Sequence, residues 1–195
     1  THIGAFDLSY LRCLPNMTVM TPADENECRQ LLTTAFTLDT PAAVRYPRGS
    51  GTGIPAGAKL QGIEIGRARR VREGKNLAIL CFGSTLASAQ PVADALDATL
   101  VDMRFVKPLD EALLRELAQT HSRFVTVEDN AIMGGAGSAV SEFFRAEAIS
   151  ADLLQLGLPD VYQEHASREE LLAQAGIDGA GILAAIAKRW AGNTL

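Results

Sequence analysis

Short apolar runs alternate with amphipathic stretches along most of this chain, and that alternation predicts its architecture. Leu77–Phe82 is apolar at every position, as befits a strand covered on both faces. It breaks at Gly83-Ser84 and gives way to a helical pattern reaching Leu96. Residues 99–103 repeat the strand pattern, and Asp110 is placed to cap a helix running through Leu117. A third strand is expected at 124–128, a helix from Gly135 to Ala148, and a fourth strand at 152–157. Two helices close the chain: Ser167 with Glu170 forms a capping box, and Asp178 caps 179–190. Strands separated by helices in this way predict an α/β fold with a doubly wound, mostly parallel sheet. Right-handed crossovers then place helices on both faces.

The first 48 residues give less. Residues 17–20 read as a short strand, followed by Thr21 as N-cap and Pro22 at the first helical position. The helix should run from Pro22 to about Thr37, with Cys28, Leu31, Leu32, Ala35 and Phe36 on one face. Residues 42–46 form a second strand, stopped by Pro47. One βαβ unit is too little for a domain, and the opening residues 1–7 read as the middle of a loop. The chain is therefore expected to be the later part of a longer protein. Residues 49–75 form a glycine- and proline-rich connector ending in an edge strand with Arg67, Arg69, Arg70 and Arg72. The expected organisation is part of a second α/β domain at 1–48, the connector at 49–75, and the main sheet domain at 76–195.

Charge narrows the partners. The chain carries 18 Lys and Arg against 23 Asp and Glu, a net charge of −5. That balance excludes nucleic acids and anionic membrane surfaces as broad partners, since both need a basic field. The apolar runs fall short of the roughly 20 residues of a membrane span, so no spanning helix is expected. Cys13, Cys28 and Cys81 are odd in number and contain no CxxC pair, so neither a disulfide framework nor a metal site is expected. Each lies in an apolar run and reads as a buried free thiol. With no secretion signal in view, the expected setting is a reducing cytoplasm.

Several groups could carry chemistry. The run Met133-Gly134-Gly135-Ala136-Gly137 follows a strand and opens a helix. It suits either a phosphate cradle or close helix–strand packing. Glu128 and Asp129 end the same strand, at the sheet edge where sites are usually found, yet capping the next turn explains them equally well. The four arginines of 67–72 suit a phosphate patch or a solvated edge. His121 is placed to cap a helix C-terminus, and His165 lies on a polar stretch. His2 sits in a glycine-containing loop where an imidazole can reach substrate. The segment Arg45-Tyr46-Pro47-Arg48-Gly49 places Arg48 just past a strand end, in a rigid turn before a glycine, where a guanidinium can grip a phosphate or carboxylate, or form a surface ion pair.

Five blocks carry a resemblance: HIGAFDLSYLR at 2–12, TPADENE at 21–27, VRYPRG at 44–49, VDMRFVKPLD at 101–110 and EDNAIMGGAGS at 128–138. In order and nearly end to end, they resemble the 1-deoxy-D-xylulose-5-phosphate synthase family of the transketolase superfamily. The resemblance implies the C-terminal portion of a thiamine-diphosphate- and Mg2+-dependent transferase. That enzyme joins pyruvate to glyceraldehyde 3-phosphate with loss of CO2 and works as a homodimer. It implies that 1–48 is the second half of a pyrimidine-binding domain and 76–195 the whole C-terminal domain. His2 matches the family's active-site histidine, and Arg48 the arginine that holds the substrate phosphate. The family's metal motif and cofactor-activating glutamate are absent from these residues. Hence no cofactor or metal is expected on this chain alone, nor activity without the missing N-terminal part. A β-type subunit of a thiamine-dependent 2-oxoacid dehydrogenase shares the domain order but needs no phosphate-binding arginine. A free-standing α/β ligand-binding module is the alternative from a different class.

Overall fold

The structure is a computed structural model, and it describes residues 4–191. Its centre is the strand with no polar residue. Strand β4 (Leu77–Phe82) is buried along its whole length. It lies between β5 (Thr99–Asp102) and β7 (Arg123–Ala131), parallel to both. Beyond β7 lies β8 (Asp152–Leu158), also parallel, and at the other edge β3 (Arg69–Arg72) runs antiparallel to β5. Because side chains alternate along a strand, β4 feeds two cores. Ala78, Leu80 and Phe82 pack with Val101, Phe124, Val140 and Phe144 on one face. Leu77, Ile79 and Cys81 meet Ala89, Val92, Ile182 and Ile186 on the other. Helices α4 (Glu111–Leu117) and α5 (Ala136–Ala146) cover the first face, while α3 (Thr85–Ala95) and α7 (Gly179–Arg189) cover the second. The expected doubly wound, mostly parallel sheet is the one observed.

Residues 168–189 are apolar enough on average to pass for a membrane-crossing helix. They form two helices instead, α6 (Arg168–Gln174) and α7, broken where Gly176 takes φ +69°. Ile182 and Ile186 of α7 are buried against the sheet.

The N-terminal segment is not a bare βαβ unit. Helix α1 (Asp7–Leu11) precedes β1 (Thr18–Met20), α2 (Glu25–Phe36) and β2 (Ala42–Val44). β1 runs parallel to β2 and antiparallel to β6 (Phe105–Lys107), a strand borrowed from beyond β5. Leu8 and Val19 enter the same core as Leu80 and Phe82, so the segment shares its apolar interior with the larger sheet.

Three local expectations need correction. Thr21 does not cap α2; its backbone N–H donates to Arg104 O at 2.7 Å. Asp24 is the cap, accepting from Glu27 N at 2.8 Å, because Asp24-Glu25-Asn26-Glu27 offers a stronger cap nearer the helix. The anticipated apolar face is buried at Leu31, but Phe36 is 90% exposed and Leu32 is also exposed. Of the three cysteines only Cys81 is buried; Cys28 is half-buried and Cys13 exposed. Caps at Asp110, Ser167 and Asp178 are as expected, the second as a complete capping box.

A buried ionic seam ties α2 to the larger sheet. Glu27 accepts from Arg104 Nε at 2.7 Å and from Ala23 N at 2.8 Å, and Arg69 donates to Asp102 Oδ2 at 2.9 Å. Asp102 is wholly buried, and its Oδ1 has no hydrogen-bond partner. Burial first, then the charge of Glu27, pushes its pKa up to about 8, against the pull of Arg69. The folded protein therefore keeps a proton that the unfolded chain releases near the ordinary aspartate value of 3.8. This contribution to stability is complete below that value and is lost as the pH rises through about 8. Urea denaturation should show stability falling between about pH 4 and pH 8, with Asp102→Asn flattening the slope. An unaltered slope in that variant contradicts the assignment.

Candidate functional site

The turn after β2 carries two arginines with opposite fates. Arg45 points inward, its backbone N–H donating to Met20 O at 2.8 Å. Its Nε donates to both Asp7 oxygens at 3.2 and 3.3 Å, and its Nη2 to Gly4 O and Asp129 O at 2.8 Å each. Its Nη1 meets Asp129 Oδ1. The two carboxylates hold the guanidinium firmly charged, although burial opposes it. A side chain so fully engaged cannot take a ligand; its role is to fix the turn.

Arg48 stands past Tyr46-Pro47, exposed. Among the described residues no ion pair or hydrogen bond holds its guanidinium. It lines a cleft of about 620 Å³ together with Gly4, Asp7, Asp129, His165 and Arg168. The cleft runs between the β2 turn and the connection from β8 to α6, at the carboxyl end of the parallel strands. Asp129 anchors both sides, since its Oδ2 lies 3.5 Å from Arg168 Nη2, which also bonds Ser84 Oγ at 2.7 Å. His2 lies outside the described residues; Gly4, two positions later, is on the cleft lining. Sequence reasoning singles out Arg48 of this turn, leaves Arg45 in the strand, and gives Asp129 no decided role. It also passed over His165, for which the only available signal was a polar stretch before the Ser167 cap.

Comparison with known proteins identifies the family. Residues 66–182 match the transketolase C-terminal domain, and residues 1–52 the transketolase pyrimidine-binding domain. The chain belongs to the transketolase family. It is 58% identical over 189 residues to a 1-deoxy-D-xylulose-5-phosphate synthase of Thioalkalivibrio sulfidiphilus, and 60% identical to one of Pseudomonas aeruginosa. In both cases 97% of this chain is covered but only 30% of the relative, so the chain spans under a third of their length. Among solved structures, a split-gene transketolase, described as an inactive β4 tetramer, superposes with a TM-score of 0.83 at 33% identity. That match covers 94% of this chain and 61% of the other. A transketolase from Campylobacter jejuni shares the fold, with a TM-score of 0.63 at 15% identity over 93% of this chain and 27% of that one.

A transketolase-family enzyme implies thiamine diphosphate, so the seats available for it matter. Among the described residues no group of three or more His, Cys, Asp or Glu could hold a metal ion. The glycine run at the start of α5 is already filled. Glu128 accepts from Ala136 N at 2.7 Å and Gly137 N at 2.8 Å, and a Cβ on Gly135 would lie 2.3 Å from its Oε2. The run is therefore a packing and capping device rather than a diphosphate cradle. The described residues do not fit the metal–diphosphate group, and no catalytic step is routed through it. Burial pushes the pKa of Glu128 up to about 7 despite those two N–H donors. Glu128→Ala should cost about 2–4 kcal/mol, because two buried N–H groups lose their acceptor, and chemical denaturation would read the loss. A cost below about 0.5 kcal/mol would mean that water replaces the carboxylate at no penalty.

The arginines of 67–72 are likewise committed. Arg69 pairs with Asp102, Arg70 with Glu73 and Glu116, and Arg72 with Asp97 and Asp94. Arg67 lies near Glu64 and Asp110. Such pairing is that of a charged edge, not of a phosphate patch. His121 closes its helix as expected: its N–H donates to Leu117 O at 2.8 Å, and its Nε2 lies 2.9 Å from Thr99 Oγ1.

Proposed function

We propose that this chain is the C-terminal part of a 1-deoxy-D-xylulose-5-phosphate synthase. The transferase reaction joins pyruvate to glyceraldehyde 3-phosphate with loss of CO2, towards isoprenoid, thiamine and pyridoxal precursors. The observation that carries the reading is the uncommitted guanidinium of Arg48 on a cleft whose other arginine, Arg45, is saturated. Residues 1–48 are the second half of the pyrimidine-binding domain, 49–75 the connector, and 76–195 the C-terminal domain. Thiamine diphosphate and Mg2+ are held by the remainder of the enzyme, which works in the cytoplasm as a homodimer.

What this chain supplies is binding and orientation. Pro47 restricts the backbone before Arg48, and the buried Arg45 pins the turn on its other side. The Arg48 fork is thus presented with little freedom to lose on binding, and it can hold a phosphate through two charge-assisted hydrogen bonds. Asp7 and Asp129 line the same cleft, but Arg45 and Arg168 together neutralise them and so lower their repulsion of an anion. His2 belongs beside the reacting carbons, donating to substrate oxygens and moving a proton.

A β-type 2-oxoacid dehydrogenase subunit would have no use for the Arg48 fork. The full-length enzyme, supplied with pyruvate and glyceraldehyde 3-phosphate, should yield CO2 and a five-carbon phosphorylated ketose in equal amounts by NMR. Release of CO2 only when a lipoyl acceptor is added would favour the dehydrogenase subunit.

A further inference from the structure

The cleft beside Arg48 has a second wall, the connection from β8 to α6, and it carries His165. Among the described residues the imidazole forms no hydrogen bond or ion pair. Its backbone is nevertheless held. Ser167 and Glu170 close a capping box two residues on, with Ser167 N donating to Glu170 Oε2 at 2.8 Å. Arg168 is tied to Ser84 Oγ at 2.7 Å and to Asp129 Oδ2 at 3.5 Å. Asp129 is also the carboxylate that grips Arg45, three residues before Arg48. Both walls of the cleft therefore hang on one anchor.

The chemistry of the lining decides what an anion would meet there. Asp7 and Asp129 are consumed by Arg45, and Arg168 by Ser84 and Asp129. Among the lining's basic side chains this leaves Arg48 and His165 uncommitted. Glu164 also lines the cleft and opposes an anion, so binding there depends on those two donors. A phosphate offers three oxygens; a guanidinium fork occupies two, and an imidazole N–H suits the third.

We propose that His165 is a second substrate-binding residue, donating a hydrogen bond to the phosphate of the acceptor sugar held by Arg48. The inference rests on the reading of Arg48 as the phosphate-holding group. It adds that the C-terminal domain contributes to acceptor choice and is not merely a packing element.

The test uses the full-length enzyme and two acceptors, glyceraldehyde 3-phosphate and unphosphorylated glyceraldehyde. His165→Ala should raise KM for the phosphorylated acceptor about 10-fold, the loss of one hydrogen bond to a charged group. KM for the unphosphorylated aldehyde should stay within about twofold. His165→Gln, which keeps an N–H donor, should recover part of the loss. A merely structural role would raise both KM values together, and Gln would not rescue it selectively. If Arg48→Ala is selective for the phosphorylated acceptor and His165→Ala is not, this inference fails while the reading of Arg48 stands. If neither variant discriminates between the acceptors, both fail.

Discussion

Arg45→Ala should destabilise the 195-residue chain by about 3–5 kcal/mol, the usual cost of leaving buried ion-pair partners unpaired. The guanidinium and its partners are largely removed from water, with 13% of the Arg45 side chain exposed, 12% of Asp129 and 20% of Asp7. Removing it strands two carboxylates and two backbone carbonyls together. For a chain of this size the thermal midpoint should fall by roughly 10 °C or more. Arg45→Lys should recover only part, because a single ammonium cannot span Asp7, Asp129 and Gly4 O at once. The double variant Arg45→Ala with Asp129→Ala should cost less than the sum of the two singles, since they share one interaction. Strict additivity in thermal denaturation would show that the pair carries no coupling. A loss below about 1 kcal/mol would place Arg45 among surface ion pairs.

How much of this was legible in the chain depends on whether an element is defined by its own residues. β4, β5 and β7 were readable because a strand covered on both faces must be apolar at successive positions, and no solvent-facing stretch imitates that. The caps at Asp110, Ser167 and Asp178 were readable for a similar reason, since cap and acceptor lie within one turn. β6 was not. Phe105-Val106-Lys107 is too short to show a period, and it becomes a strand only through pairing with β1, far away in sequence. α1 was missed likewise: five residues do not make a helix alone, and this one is held by Asn130, whose Oδ1 accepts from Leu8 N at 3.2 Å.

The site divides along the same line. In the segment RYPRG the sequence marks Arg48, past the strand end, as the candidate, and nothing local shows that a buried ion pair separates Arg45 from it. The separation comes from Asp129, which lies at the end of β7 and meets Arg45 only in the folded chain. Glu128 was undecided between capping and chemistry until the fold put α5 above it. Phe36 was assigned to a buried face by its spacing, yet it stands 90% exposed. Periodicity identifies an apolar stripe but not what covers it.

Arg48→Ala, made in the full-length enzyme, carries the largest functional effect. Removing a charge-assisted clamp leaves the phosphate unpaired at the cleft, a loss of about 2–4 kcal/mol. That corresponds to roughly 30- to 1000-fold in kcat/KM for glyceraldehyde 3-phosphate. Under the proposed role Arg48 touches the acceptor and not the donor, so decarboxylation of pyruvate without acceptor should change far less. Stability should barely move, since the side chain has no partner among the described residues and is exposed. On this proposal the two arginines, three residues apart, divide the work: Arg45 holds the fold and Arg48 the ligand.

The most direct measurement is therefore the ratio of kcat/KM for glyceraldehyde 3-phosphate to that for unphosphorylated glyceraldehyde, in the parent enzyme and in Arg48→Ala. Collapse of that ratio by about 30-fold or more, with pyruvate decarboxylation largely retained, is the result predicted. Equal loss with both acceptors and with pyruvate would contradict the assignment of this cleft to the phosphorylated acceptor.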